Sequence, residues 1–503
     1  MDDWNGAHLY IDGSWQRGAG SDRDILNPAN AQSIVCVHEA SLEQVQQAVS
    51  AAQRSFDSGI WTQRYPQERA RVLRRVADSL EEQRDSFARL ETQNTGKTLS
   101  ESLADMDNIA EVFRYYAALV LTQGGDINPV AADALSQSVY EPIGVVAMIT
   151  PWNYPLLQLA WKVAPALAAG CSFVAKPSEL TPLSSLKLMT LLEQAGLPAG
   201  VANVVLGSGA EVGKALVEHP QVAMVSFTGG IVTGRAIAAS AAAQVKRVAL
   251  ELGGKNPNII CADADVDTAV DYALQAVFYH AGQVCSAGAR LLLHASIHDR
   301  FLEALLARAA AIRLGFGDDP DTEMGPLISA AHRDNVEGYI ALAQREGARL
   351  RLGGQRPEQP ALQQGFFLQP TIFSDVDASM RIAREEVFGP VLTVERFDDE
   401  AEAIATANAT ETGLAAAVWT QDVARGQHLA RRLHFGTVWI NDFHPYYPAA
   451  PWGGFKQSGN GRELGRIGLQ EYLEPKHIYL NLAPKASGWF GRQALRSASE
   501  PQK

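Results

Sequence analysis

Val145-Val146-Ala147-Met148-Ile149-Thr150-Pro151-Trp152-Asn153-Tyr154-Pro155 is the stretch that decides the fold. Five apolar residues in a row read as a strand buried on both faces, and a helix is expected after the two prolines, which a first helical turn tolerates. The same alternation continues with strand 172–175, helix 183–194, strand 203–205, helix 211–218, strand 224–227, helix 234–242 and strand 247–250. Strictly alternating strands and helices predict right-handed βαβ units and a parallel sheet covered on both faces. Ligands of such sheets sit at the carboxyl ends of the strands. A second α/β run starts with strand 258–261 and continues through helix 266–279, strand 290–294, helix 297–308 and later strands near Val391 and Val438.

Towards the N-terminus the pattern differs. Residues 9–15 read as a short hairpin around Asp12-Gly13, and Asn27-Pro28-Ala29-Asn30 is a turn before strand 34–37. Helical spacing covers 43–56 and, as one continuous helix, 67–93, with Leu73, Val76, Leu80, Phe87 and Leu90 as its buried stripe. Asn94-Thr95-Gly96 predicts a glycine cap, and a third helix spans about 100–119. From Gly124 to Pro142 the chain alternates poorly and reads as extended arms. Residues 476–482 alternate like an edge strand, free to pair with those arms or with another subunit. The tail after Ala483 is small and polar and is expected to fray. No internal repeat is visible.

With 503 residues, the chain exceeds what one core usually covers, so two or more domains are expected. A net charge of −13 argues against nucleic acid or an anionic membrane as partner and slightly favours a cationic ligand. The four cysteines, Cys36, Cys171, Cys261 and Cys285, lie far apart with no metal-type spacing, so no metal site is expected and a reducing compartment fits. No stretch approaches the roughly 18 apolar residues of a membrane span, and Met1-Asp2-Asp3-Trp4-Asn5 lacks the apolar core of a signal peptide. A cytoplasmic protein is expected.

Five stretches carry chemistry. Cys285 follows an apolar helical run, within Gly282-Gln283-Val284-Cys285-Ser286-Ala287-Gly288. A thiol on a Gly-flanked turn at a helix end is expected to be open to solvent and near unpaired backbone N–H groups, as a thiolate nucleophile requires. A lone cysteine is also commonly a small buried hydrophobe. Lys176-Pro177-Ser178-Glu179 follows a strand, where a lysine and a carboxylate can hold ribose hydroxyls or simply form a solvated turn pair. Glu179 would repel a 2′-phosphate, which favours NAD over NADP. Phe227-Thr228-Gly229-Gly230-Ile231-Val232-Thr233-Gly234 is a Gly-rich strand-to-helix turn suited to a pyrophosphate, although it is not GxGxxG. Gly207 to Gly213 has similar spacing and can serve the fold alone. Glu251, before Leu252-Gly253-Gly254-Lys255, ends a strand at the junction of the two halves, as a general base or a structural ion pair. The Asn153 amide can donate to an oxyanion. Tyr154 and Trp161, two helical turns apart, share a face that is either core or a binding wall.

These stretches, together with Glu386-Val387-Phe388-Gly389-Pro390, appear in order and well spaced, and the chain from about residue 8 to 482 resembles the NAD(P)-dependent aldehyde dehydrogenases. The segment Ala450-Pro451-Trp452-Gly453-Gly454-Phe455-Lys456-Gln457-Ser458-Gly459, with Gly461-Arg462-Glu463-Leu464-Gly465, resembles the betaine aldehyde and aminoaldehyde enzymes of that family. The resemblance implies a Rossmann-type NAD-binding domain over 1–118 and 142–253 and a catalytic domain over 254–468. It further implies an oligomerisation arm over 119–141 and 469–485, a tail over 486–503, and a homodimer or homotetramer.

The resemblance also implies roles. Cys285 attacks the aldehyde, Asn153 and the Cys285 N–H hold the oxyanion, and Glu251 activates the hydrolytic water. Lys162 and Glu463 match a proton-relay set. NAD, with NADP an alternative, would contact Trp152, Lys176, Glu179, Gly229, Gly230, Thr233, Leu252, Glu386 and Phe388. Gly230 stands where the family usually has Ser, which removes one pyrophosphate contact. Tyr154, Trp161, Tyr279 and Trp452 resemble a box that holds a trimethylammonium group by cation–π contact, with Tyr279 where many members carry Trp. Asp105 and Asp107 would add negative charge at the tunnel mouth. The expected substrate is betaine aldehyde, with an ω-aminoaldehyde such as 4-aminobutanal as the alternative. A coenzyme A-acylating enzyme is the further alternative, against which Glu251 argues.

Overall fold

The structure, a computed structural model, describes residues 6–487 and 489–490. The expected fraying of the chain end falls largely on residues outside that description. Its first sheet has eight strands, and its centre is the parallel run expected from the alternation. Ala202–Val204, Ser172–Lys176, Val145–Ile149, Val222–Gly229 and Arg247–Leu252 lie side by side and parallel. The sheet as a whole is mixed, which corrects the all-parallel expectation. The Leu9–Ile11/Ser14–Gln16 hairpin adds antiparallel strands at one edge, and Gly459–Asn460 adds one at the other. Neither edge strand is reached through a βαβ crossover, so neither is bound by the handedness that keeps the centre parallel.

Pro155–Ala169 is buried along its whole length, because it packs between this sheet and the N-terminal helices. The helical spacing over 67–93 belongs to two helices, Pro66–Glu82 and Arg84–Thr95, which part at Gln83 with φ −106° and ψ 14°. Leu73, Val76, Leu80 and Phe87 are buried across the break, so one apolar stripe serves both helices and hides it from periodicity. Gly96 caps the second at φ +82°. Where a helix was expected over 211–218, a π-turn at Gly209–Gly213 leads into Lys214–Glu218, and it borders the cleft described below.

The second sheet has seven strands, all parallel except Arg349–Leu352 at one edge. The helix Val266–Phe278 ends at Tyr279, and the chain then turns through His280 and Ala281, both at positive φ, into the loop that holds Cys285. A third sheet stands apart. Leu473–Asn481 pairs antiparallel with Ala134–Pro142, which pairs with Asp126–Asn128, so the predicted arms and C-terminal strand meet within one chain. No helix among the described residues is long and apolar enough to cross a membrane.

Candidate active site

Two chambers meet at one sulfur. The first, about 370 Å³, is lined by Tyr154, Trp161, Tyr279, Tyr446 and Trp452, with Asp105 and Asp442, and reaches Cys285. The second, about 240 Å³, is lined by Trp152, Asn153, Glu251, Leu252, Glu386 and Phe388 and also reaches Cys285. It continues into a cleft of about 740 Å³ along the carboxyl ends of the central strands, bordered by Lys176, Glu179, Gly229, Gly230 and Thr233.

Cys285 is half-buried, which corrects the expectation of a solvent-open thiol. Burial, then the charges of Glu386 and Glu251, push its thiol well above the usual range, while the backbone N–H groups of Ser286 and Cys285 oppose the rise. The resting sulfur is therefore protonated. Its loop is strapped down by side-chain amides that the sequence reading did not single out. Asn256 Nδ2 donates to Cys285 O (2.8 Å) and Ala287 O (3.1 Å), and Asn256 Oδ1 accepts from Ala415 N. Gln283 donates to His280 O and Pro326 O and accepts from Ile328 N. Asn153 Nδ2 spends one N–H on Gln283 O at 2.8 Å, which leaves the other for a ligand in the shared chamber.

Glu251 sits on the strand Arg247–Leu252 beside Gly459 of the antiparallel edge strand. It is buried, and its Oε2 has no partner among the described residues. Desolvation, then the charge of Glu463, raises its proton affinity well above a normal carboxylate's. Gly453 allows this approach, since a Cβ there would lie 2.8 Å from Glu251 Oε1. Behind it, Lys162 and Glu463 form a buried ion pair, and Lys162 Nζ also donates to Thr228 Oγ1 at 2.8 Å. Thr228 is the register partner of Glu251 across two parallel strands, so the Lys162–Glu463 pair is contiguous with Glu251. Glu463 and Trp452 exchange both backbone hydrogen bonds, which ties the relay to the aromatic box.

On the cleft side, Lys176 Nζ donates to Gly207 O (2.8 Å) and Pro177 O (3.1 Å) and lies 3.5 Å from Glu179 Oε2. A Cβ on Gly230 or Gly209 would meet nothing within 4 Å, so both border open space. The serine usual at position 230 would fit without strain. Gly253 is the opposite case. A Cβ there would fall 1.8 Å from Glu386 Oε2, and the adjacent Gly254 N–H is 3.3 Å from Glu386 Oε1. Burial raises the Glu386 carboxyl to about 7. Trp152 meets Phe388 edge-on at 5.2 Å and His332 at 5.2 Å, and His332 Nε2 is held by Phe388 O at 2.7 Å.

All four expected box residues line the first chamber, and Tyr446 joins them unforeseen, 5.0 Å from Trp452 and 5.8 Å from Trp161. One face of Tyr154 is taken by the buried ammonium of Lys97, 3.9 Å from the ring centre, and Lys97 pairs with Asp105 at 2.7 Å. Asp107 does not face the chamber. Arg84 holds it bidentately at 2.5 and 2.6 Å, because one helical position separates it from the lining face that carries Ala104, Asp105 and Asn108.

Cys285, Asn153 and Glu251 thus line one chamber at the end of a Gly-lined cleft. The chain belongs to the aldehyde dehydrogenase family, whose model matches residues 15–478. It is 55% identical to the betaine aldehyde dehydrogenase of Bacillus subtilis, over 96% of this chain and 99% of that protein. It is 42% identical to the chloroplastic betaine aldehyde dehydrogenase of Beta vulgaris, over 96% and 98%. The crystal structure of the Staphylococcus aureus betaine aldehyde dehydrogenase in complex with NAD+ matches with a TM-score of 0.95 at 52% identity, over 96% of this chain and 97% of that one.

Proposed function

We propose that this enzyme oxidises betaine aldehyde to glycine betaine with NAD+, by covalent catalysis at Cys285. The observation that carries the reading is the meeting of an aromatic chamber and a cofactor-sized cleft at that one sulfur. A trimethylammonium group offers no hydrogen-bond donor, so only electron-rich ring faces and shape can hold it. Trp161, Tyr154, Tyr279 and Trp452 supply them on the side of Cys285 away from the cleft.

The cleft fits a nicotinamide dinucleotide. Gly230 leaves open space at the N-terminus of Ile231–Ala242, where a pyrophosphate can meet unpaired N–H groups. Lys176 and Glu179 would hold the adenine-side ribose, with Glu179 disfavouring a 2′-phosphate. Gly229, Thr233 and Leu252 would line the path. Trp152, Glu386 and Phe388 would position the other ribose and ring beside Cys285. The chemistry this group supplies when bound is hydride acceptance.

The chain's own residues do the rest. The sulfur of Cys285 attacks the aldehyde carbon as its proton passes to the carboxylate of Glu386, which lines the same chamber and whose pKa burial raises to about 7. The negative oxygen that forms is met by the free N–H of Asn153 and by the Cys285 backbone N–H, donors set in place before the charge appears. After oxidation Cys285 carries an acyl group as a thioester. Glu251 takes a proton from water, and the hydroxide attacks the thioester carbonyl to release the carboxylate and the thiol. Lys162 and Glu463 carry the proton onward from Glu251.

Asp442 in the chamber wall favours a second reading, an ω-aminoaldehyde whose ammonium donates hydrogen bonds, since Asp105 is already paired with Lys97. Comparing kcat/KM for betaine aldehyde, 4-aminobutanal and 3,3-dimethylbutanal, the neutral isostere of betaine aldehyde, separates the readings. Preference for the neutral compound would overturn both.

The chain divides functionally into a dinucleotide-binding part (1–118 and 142–253), a catalytic part (254–468) and an arm (119–141 and 469–485). The arm serves a homodimer or homotetramer, because Leu473–Asn481 exposes Ile478, Tyr479 and Leu480 on a sheet edge. Four free thiols fit a cytoplasmic setting.

A further inference from the structure

Next to the nucleophile, three polar side chains form a cluster that the chemistry above does not use. Ser286 is fully buried. Its Oγ lies 3.2 Å from His444 Nδ1 and is hydrogen-bonded to Tyr446 Oη, and Tyr446 Oη is itself 3.3 Å from the same Nδ1. His444 Nε2 lies 3.2 Å from Ala276 O. A carbonyl can only accept, so Nε2 carries the proton and Nδ1 the lone pair. Burial holds the ring neutral, its pKa down at about 4. One hydroxyl therefore donates to Nδ1 and the other donates to the first, closing a triangle. His444 is kept at φ +70°, a conformation that a bulky residue holds only when its surroundings dictate it.

The triangle fixes a ring. Tyr446 meets Trp452 edge-on, at an interplanar angle of 79°, and lines the chamber with Tyr154, Trp161 and Tyr279. Trp161, Trp439 and Trp452 pack around its ring, but among the described residues no other hydrogen bond holds its phenol oxygen, for Asn108 reaches only its backbone oxygen. Ser286 is covalently the next residue after Cys285. The same side chain that anchors the ring thus ties it to the nucleophile's own loop, and that sets the distance between the sulfur and the cation site.

We propose that Ser286 is a positioning residue for substrate selection, whose hydroxyl locks Tyr446 as a fifth wall of the cation box at a fixed offset from Cys285. The proposal rests on the cationic-aldehyde reading. It predicts that removing the hydroxyl costs discrimination, because a ring free to turn presents its face to the cation only part of the time.

The test is the ratio of kcat/KM for betaine aldehyde to that for 3,3-dimethylbutanal, measured for the parent enzyme, Ser286→Ala, Tyr446→Phe and the double variant. Each single variant should lower the ratio by about 3- to 10-fold, the range of one hydrogen bond. The double variant should fall no further than either single one, since both remove the same link. If Ser286→Ala does not fold, Tyr446→Phe, which removes only an oxygen, gives the same reading. A purely structural serine would lower Tm and slow both aldehydes equally. A high parent ratio unmoved by either variant, or additive losses, would overturn the proposal alone. A parent ratio near one would remove the cationic reading and the proposal with it.

Discussion

Glu91→Gln should stabilise the protein, and increasingly so as pH rises. Glu91 is 2% exposed in the helix Arg84–Thr95. Its Oε1 accepts from Leu156 N–H (3.1 Å) and Ser184 Oγ (2.8 Å), and it caps the helix Pro155–Ala169 that carries Trp161 and Lys162. Its Oε2 has no partner among the described residues. Desolvation raises its carboxyl from 4.5 to about 7, against the pull of Lys97. Below pH 4.5 both folded and unfolded chains hold the proton, and the group is neutral to stability. Between 4.5 and 7 the unfolded chain gives it up first, so folding is progressively penalised. Above 7 the full penalty applies, the shift multiplied by 1.36 kcal/mol per unit, or about 3 kcal/mol. Glutamine keeps the accepting oxygen and never ionises. At about 2.1 cal/mol/K per residue of unfolding entropy, that penalty corresponds to roughly 3 °C for a chain this long, and more if one half melts alone. Thermal melts of both proteins at equal concentration from pH 5 to 8 should show the Tm difference growing by about 2 °C, the part of the penalty that builds up over that range. A difference constant across the range would refute the argument that Glu91 is buried as a costly charge.

Asn153→Ala should lower kcat by about 10²- to 10³-fold, the loss of one oxyanion donor, while iodoacetamide still alkylates Cys285 at near the parent rate. Gly253→Ala should push the Glu386 carboxylate out of its place, since the new methyl would overlap it. NAD+ titration should then show weaker binding, and unchanged affinity would contradict the placement of Glu386 beside the cofactor. Lys162→Met should be strongly destabilising, by about 3–5 kcal/mol, because it strands Glu463 as a buried unpaired charge. Lys162→Met/Glu463→Leu together should recover much of that loss in chemical denaturation.

Much of the fold was legible because its strands are uniformly apolar and its helices periodic. Val145–Ile149 and Leu183–Gln194 fall where the pattern puts them. What stayed hidden has a physical cause in each case. The break at Gln83 carries no Gly or Pro, and the stripe from Leu73 to Phe87 runs through it. The antiparallel edge strand Gly459–Asn460 is two residues long, too short for any periodicity. Cys285, Glu251 and Asn153 were singled out by the strand ends and turns around them, and their expected roles came from the family resemblance. Asn256, Gln283, Ser286 and Tyr446 were not, because a side-chain amide or hydroxyl that straps a loop has no spacing signature. Most of their partners lie 29 to 160 residues away in the chain. Asp107 misled because a helix separates faces every residue or two, and one position turns a lining carboxylate into a surface ion pair with Arg84.

The most direct test of the account is to trap its covalent step. Glu251→Gln, incubated with betaine aldehyde and NAD+, should turn over about 10²- to 10⁴-fold more slowly and accumulate the acyl thioester. Peptide mapping by mass spectrometry should find the adduct on the peptide that contains Cys285. An adduct on Cys36, Cys171 or Cys261, or parent-like turnover with none at all, would contradict it.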